Sequence, residues 1–292
     1  MLKTVFTEKL SVKQLHKEPC VLLLGWFDGL HSGHKILVQK AKSLGYSVGI
    51  MTINGGKNER ALYTRDERQT VFKNAGIDFS FELEFSDIRT LSPEQFVALL
   101  KKEFCVRSFV CGEDFRFGSG AKGEADDLTV LSSLPTIVEK TVKIDGNKIG
   151  ATAIKTALER GDVQTANTFL GENFFLSGTV FKDRGIGKTL SFPTANVEYP
   201  KEKFPLQGGV YETNVLFDGK EYKAVTHYGA RPTFGEMRIV TESYLDGFDG
   251  DLYGKNIEIR FVRFLRGTVK FERVEELKKQ LLEDIRRVRE ND

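Results

Sequence analysis

The sequence predicts a doubly wound α/β domain with a parallel sheet, followed by a small antiparallel β-barrel and a C-terminal helix. Three observations carry this. The first half alternates continuous apolar runs with helical periodicities. From about Phe174 the texture becomes short alternating runs parted by Gly-rich turns. The last segment, "FERVEELKKQLLEDIRRVRE", has one apolar stripe and a charged opposite face.

In chain order, "CVLLLGWF" has the continuous apolar character of a strand buried on both faces. "GHKILVQKAKSLG" places Ile36, Leu37, Lys40, Ala41 and Leu44 at helical spacing, and Gly45 is a stop signal. "YSVGIMTI" reads as the next strand, so the three form a βαβ unit with a parallel pair. "TRDERQTVFKNAG" then reads as helix, "DFSFELEF" as strand, "SPEQFVALLKKEF" as helix capped by Ser92, and "VRSFVCG" as strand. The domain closes after the helix "TAIKTALERGD", with the boundary near Gly171, giving domains 1–171 and 172–292. In the second domain "FLSGTVF", "GVYETNVLF", "EYKAVTHYG", "IVTESYL" and "NIEIRFVRFLR" read as strands, and Asp218-Gly219 is a hairpin turn. Val274, Leu277, Leu281, Leu282 and Ile285 form the stripe of the closing helix.

The formal net charge of +2 is too balanced to point to nucleic acid or an acidic membrane, while a local pocket for a few phosphates needs no larger excess. Cys20, Cys105 and Cys111 make no CxxC pair, an odd and sparse set that suits a reducing cytoplasm. The longest apolar run falls far short of the ~20 residues that span a bilayer, and the N-terminal segment lacks the apolar core of a secretory signal. The expectation is a soluble cytoplasmic protein. The sequence leaves its oligomeric state open.

"GWFDGLHSGH", Gly25 to His34, carries the chemistry of the first domain. It stands where a strand gives way to a helix, and free N–H groups at a helix start form an anion site. Gly33 there would let a phosphate approach the backbone. His31 and His34, three apart, would project from one face of the first turn as two imidazole donors to one phosphate. Two other readings of the histidines stand beside this one: a metal pair, which needs further ligands, and satisfied structural residues. A dinucleotide fingerprint fails, because no GxGxxG is present.

This stretch resembles the GxFDGxHxGH motif of the HxGH nucleotidylyltransferases. Within them it is most similar to the adenylyltransferase domain of bacterial bifunctional riboflavin kinase/FMN adenylyltransferases, the FAD synthetases. "YTRDERQTVFKNAGID" and "LSPEQFVALL" resemble further segments of that family, and "VCGEDFRFGSGAKG" its GxDFxFG loop. The resemblance implies phosphate contacts around Gly25, Phe27, Asp28, Gly29 and Gly33. It also implies a nucleotide and flavin pocket shaped by Gly112, Asp114, Phe115 and Phe117; core packing is the alternative for the two phenylalanines. The family's ISSTxxR triphosphate segment reads "IGATAIK" here. Thr152 is kept, Lys155 stands where a second arginine is usual, and Gly150, Ala151 and Ala153 replace two serines and an arginine. Each charge-assisted bond so lost is worth roughly 1.5–3 kcal/mol.

In the second domain "LSFPTANV" resembles the riboflavin kinase G-FPTAN segment, with Ser191 for the leading glycine. Thr194 and Asn196 offer hard oxygen ligands suited to Mg²⁺. "KDRGIGKTL", with Lys182, Gly187 and Lys188, resembles a phosphate-covering loop; a plain solvated turn is the alternative. "HYGARPTFG" resembles NIGxRPTF, with His227 and Tyr228 for Asn-Ile. "ESYLDGFDGDLYG" resembles ExHLLDFxxDLYG, altered at Leu245-Asp246-Gly247, and "FLRGTVKF" resembles LRxExKF. Glu242, at the start of a strand-to-loop segment, becomes the candidate base for the ribityl hydroxyl; its alternative is an ordinary exposed strand glutamate. The resemblance runs from Pro19 to Ile285. It implies a Mg²⁺- and ATP-dependent enzyme that makes FMN from riboflavin and FAD from FMN. The alternatives are a chain that keeps one activity, with the altered "IGATAIK" weakening adenylyl transfer, or a non-catalytic flavin-binding regulator.

Overall fold

A computed structural model describes residues 3–6, 16–55, 60–144, 146–182, 193–233 and 236–290. The contacts divide the chain into two compact units, residues 1–151 and 152–292.

Unit 1 is built on a six-stranded sheet in which every pair is parallel. Its elements in chain order are β1 (Lys3–Phe6), β2 (His16–Leu24), α1 (Ser32–Ser43), β3 (Ser47–Asn54), α2 (Arg65–Asn74), β4 (Phe79–Glu84), α3 (Phe85–Ile88), α4 (Pro93–Glu103) and β5 (Phe104–Gly112). A hairpin follows, β6 (Arg116–Phe117) and β7 (Gly123–Glu124), then α5 (Asp127–Ser132) and β8 (Thr136–Glu139). A second hairpin, β9 (Lys143–Ile144) and β10 (Asn147–Lys148), precedes α6 (Ala151–Glu159). The sheet order is β1-β4-β3-β2-β5-β8. The order reverses at β2, and the crevice between the loops after β2 and β5 is therefore where a ligand sits in such a sheet.

The apolar run does what its composition requires: Cys20 to Leu24 are at most 1% exposed, covered on both faces. Helix starts follow the capping chemistry. Thr64 and Ser92 each accept from the backbone N–H three residues on, with Glu67 and Gln95 reaching back to complete capping boxes. Sequence patterning did not reveal the edge strands β1 and β8; four-residue strands carry too little alternation to register.

Unit 2 continues with α7 (Val163–Leu170), β11 (Phe175–Thr179), β12 (Thr194–Glu198), β13 (Gly209–Phe217), β14 (Lys220–Thr233), β15 (Glu236–Leu245), β16 (Asn256–Arg266) and α8 (Val274–Arg289). The strands run antiparallel in the order β11-β16-β13-β14-β15-β12. A bridge from Phe181 to Asn196, its N–H donating to the Asn196 carbonyl at 2.9 Å, brings the two ends of the sheet together into a nearly closed barrel. Asp218 and Gly219 have φ of 48° and 75°, the two positive values a type I′ hairpin turn needs.

Packing moves the division of the chain away from Gly171. The helix "TAIKTALERGD", read from sequence as the end of the first domain, is α6, and from Thr152 on it groups with the barrel together with α7, which sequence patterning did not reveal. Asn167 shows why. Its amide donates to the Phe261 carbonyl on β16 at 2.8 Å and its oxygen accepts from the Phe174 N–H. The closing helix also differs in detail from its expected stripe. Ile285 and Val288 are buried against Val210 and Val225, whereas Leu282 is 52% exposed.

Candidate active sites

In unit 1 the chain leaves β2 at Leu24 and turns sharply. Phe27 takes a left-handed φ of 32°, rare for a non-glycine residue and a local strain. Its ring is buried and meets His34 edge-on at 4.6 Å between centroids. Gly29 is required by close approach: a Cβ there would lie 2.8 Å from the Tyr63 ring. Asp28 is half-buried beside it, and Gly25 leaves room for the Phe27 ring.

His31 is not in the first turn of α1 but caps it. Its backbone is extended, and its Nδ1 accepts from the His34 N–H at 3.2 Å. The His34 Nδ1–H donates to the Gly29 carbonyl at 3.1 Å. The two rings stack at 3.5 Å. Burial lowers the pKa of His31 to about 4, against a smaller upward pull from Asp114. Burial also holds His34 well below the usual range, and the adjacent His31 adds to this. Both rings are therefore neutral at pH 7. With Nδ1 as acceptor, His31 carries its proton on Nε2 and is a donor. With Nδ1 as donor, neutral His34 presents a bare Nε2, which donates only after taking up a proton.

Gly33 lies against the capping ring. The space its missing side chain leaves is filled from within by the His31 ring, 3.2 Å from where a Cβ would stand, with Val142 at 3.5 Å. The glycine makes room for the capping imidazole. Phe115 and Phe117 lie in the core, the alternative open to them from the sequence. They are 7% and 5% exposed, stack on each other at 5.7 Å, and belong to the core with Phe96. The β6–β7 hairpin folds back and tucks them under, so they support the loop from below. Gly112 ends β5, and Asp114 on the same loop pairs with Lys148 at 2.9 Å. No sequence signal marked Lys148, which reaches the site through a long-range contact, and Tyr63 stood in a segment resembling the family without being singled out.

The altered "IGATAIK" segment straddles the two units. Ile149 donates to the Val142 carbonyl at 3.1 Å, which ties the segment to the residue beside Gly33. A Cβ on Gly150 would meet nothing within 4 Å. Thr152 is exposed and lies in unit 2. Lys155, expected at phosphate, sits in unit 2 with its ammonium 5.4 Å from the Phe204 ring centroid, a cation–π contact.

In unit 2 the register brings together residues far apart in the sequence. Asn196 on β12 is directly opposite Glu242 on β15, and Glu242 is directly opposite His227 on β14. Opposed residues share a face, and Thr194, two positions from Asn196, shares it too. The Thr194 hydroxyl donates to Glu242 Oε1 at 2.9 Å. Asn196 is 6% exposed, and its Oδ1 is buried with no hydrogen-bond partner among the described residues. Such an orphaned acceptor costs ~1–3 kcal/mol and points to a ligand. A hydroxyl and an amide oxygen beside a carboxylate are the hard donors that Mg²⁺ takes alongside phosphate and water, so the residues fit that ion. Glu242 lies within β15 rather than at its edge. His227 bonds Thr268 Oγ1 through Nε2 at 3.3 Å.

The opposite face of these strands is the barrel interior. There Thr213, Thr226 and Ser243, all fully buried, pass hydroxyl bonds of 2.6 and 2.8 Å. The altered Leu245-Asp246-Gly247 run forms the turn after β15. Leu245 is buried, and Asp246 takes a bidentate pair from Arg289 of α8 at 2.6 and 2.7 Å. Lys182 is exposed; Gly187 and Lys188 lie outside the described residues.

Comparison with known proteins matches both units. Residues 13–153 fit the family model described as FAD synthetase, and residues 170–291 that described as riboflavin kinase. The chain is 32% identical over 285 residues to the bifunctional riboflavin kinase/FMN adenylyltransferase of Bacillus subtilis, covering 90% of each. It is 30% identical over 297 residues to that of Escherichia coli strain K12, covering 94% of this chain and 93% of the other. A crystal structure described as a macrolide-efflux protein from Streptococcus pneumoniae superposes over 99% of both chains, with a TM-score of 0.89 and 26% identity. What that likeness carries is the fold. No described helix is long and apolar enough to cross a membrane.

Proposed function

This chain belongs to the family of bifunctional riboflavin kinase/FMN adenylyltransferases, and on that premise we propose how its residues divide the two reactions. The observation that carries the proposal is the row Thr194–Asn196–Glu242 with the orphaned Asn196 oxygen. In unit 2 Glu242 accepts the proton of the ribityl 5′-hydroxyl as that oxygen attacks the γ-phosphorus of ATP and displaces ADP, giving FMN. The Thr194 hydroxyl holds the carboxylate oriented. Thr194 and Asn196 would hold Mg²⁺, which supplies charge neutralisation at the phosphates when bound.

In unit 1 the FMN phosphate attacks the α-phosphorus of ATP, and pyrophosphate leaves. His31 Nε2–H donates to the phosphate oxygens, and the N-terminal end of α1, where the His34 N–H is already taken by His31, adds its dipole. His34 joins as a donor once the phosphates draw a proton onto its Nε2. Asp28 and Gly29 hold the turn that aims both rings. Neither step needs a covalent enzyme intermediate. Substrates and products are small flavins and adenine nucleotides, with no nucleic acid or membrane partner. The free thiols of Cys20, Cys105 and Cys111 suit the cytoplasm.

A second reading, loss of adenylyl transfer with the kinase intact, is favoured by Gly150 and Ala151, which offer no side-chain donors. One experiment separates the two: incubation with Mg-ATP and either riboflavin or FMN, followed by separation of the flavins. FMN from riboflavin together with FAD from FMN supports the two-activity reading, and FAD from FMN alone places the loss in unit 2. FMN from riboflavin with no FAD supports the second, and the double variant Gly150→Ser, Ala151→Ser should then restore FAD formation. No product from either flavin rejects both.

A further inference from the structure

We propose that Trp26, backed by Phe85, is the shelf on which the isoalloxazine ring of FMN stacks during adenylyl transfer; this rests on the adenylyltransferase reading of unit 1. Trp26 belongs to the turn that carries the phosphate cradle, yet it faces the other way. The left-handed backbone at Phe27 sends that ring inward onto His34, while the Trp26 indole stays 37% exposed. It leans on Phe85, which opens α3 immediately after β4, with ring centroids 5.7 Å apart at 41°. Gly55, just past β3, comes within 3.9 Å of the Phe85 Cβ when given a Cβ of its own. Three successive loops at the carboxyl ends of β2, β3 and β4 thus meet around one open aromatic pair.

The two flanks of the β2/β5 switch point differ in chemistry. On the β5–β8 flank the chain from Glu139 to Ile149 is tied to the loop after β5. Glu113 N–H donates to the Glu139 carbonyl at 2.9 Å, Thr141 N–H donates to the Glu113 carboxylate at 2.7 Å, and Lys148 pairs with Asp114. That flank leads into the segment resembling a triphosphate site, and its polar side chains include Lys148, held by Asp114. The β3–β4 flank offers Trp26 and Phe85. A reaction between two ring-bearing phosphates at one cradle needs two ring seats. With the triphosphate on the charged flank, the aromatic flank is left for the flavin, the larger and more apolar of the two rings. A planar ring on indole is a sequence-tolerant contact that needs no further polar reader.

The test uses the full chain and the variants Trp26→Ala and Trp26→Phe, with KM for FMN and for MgATP measured separately. The visible band of FMN is also recorded with and without protein. Loss of an aromatic stacking partner corresponds to roughly a ten- to hundredfold effect. The expected result for Trp26→Ala is a rise of that size in KM for FMN, an unchanged KM for MgATP, an unchanged riboflavin kinase reaction, and loss of the shift in the flavin band on binding. Trp26→Phe should restore most of the affinity. A rise confined to KM for MgATP would assign the shelf to adenine and overturn the proposal, as would an unchanged KM for FMN. If the wild-type chain makes no FAD yet shifts the FMN band in a Trp26-dependent way, the shelf stands and the adenylyltransferase reading falls.

Discussion

On the proposed division of labour, the two sites would solve one problem, charge on phosphate, with opposite materials. The unit 1 cradle is made of backbone amides and two neutral, stacked imidazoles whose charge is suppressed by burial. The unit 2 row is made of oxygen atoms on a sheet face: a hydroxyl, an amide carbonyl and a carboxylate. The first presents hydrogen-bond donors and can contact phosphate directly. The second presents acceptors, which repel phosphate unless a cation lies between. The difference teaches that a Mg²⁺ requirement should be built into the protein at the barrel more than at the cradle.

The sharpest way to break this comparison is to remove the carboxylate. Glu242→Gln keeps the shape and removes the base, and FMN formation should fall by roughly 10²–10⁴ with adenylylation of supplied FMN unchanged. Equal loss of both activities would end the division of labour. His34→Ala is the mirror experiment: FAD formation should fall by roughly 10²–10³ while riboflavin phosphorylation continues, and the reverse pattern would exchange the two assignments.

A smaller effect tests the orphaned oxygen. Asn196→Leu should lower kinase kcat/KM by about tenfold or more, on the scale of one lost ligand. It should at the same time raise the melting temperature of the ligand-free protein, because an unsatisfied buried acceptor disappears. A variant less stable than the parent would show that the oxygen has a structural partner instead.

The smallest effect separates the units by pH. His31 has a folded pKa near 4 against 6.5 unfolded. On acidification the unfolded chain binds that proton first, so its contribution to stability is present above pH 6.5 and lost as pH falls towards 4. Urea unfolding of the chain should show unit 1 weakening over that window, and His31→Gln should flatten the slope. A unit 1 that gains stability on acidification would contradict burial of the neutral ring.

Much of this was legible in the sequence because local pattern encodes local structure. The run through Leu24 announced a doubly covered strand, Ser92 its helix, and Asp218-Gly219 its hairpin. "PTAN" and Glu242 were identified as site residues from motif resemblance. Their meeting was not legible, since nothing between them fixes how far β15 slides along β12. Phe115 and Phe117 show the converse: an aromatic in a loop motif has the same letter whether it lines a pocket or fills a core. Gly33 taught a related lesson, because the sequence does not say whether a missing side chain makes room for a ligand or for a neighbour.

The sequence by itself determined the fold class, the order of most elements and the two clusters of reactive residues, all set by periodicity, turn chemistry and short motifs. Tertiary structure alone decided that α6 and α7 pack with the barrel, that His31 caps rather than joins α1, and that Asn196, Glu242 and His227 form one row. The reason is physical. A helix or strand is specified by its neighbours in the chain, but strand register, burial and the charge state of an imidazole are specified by residues brought from far away.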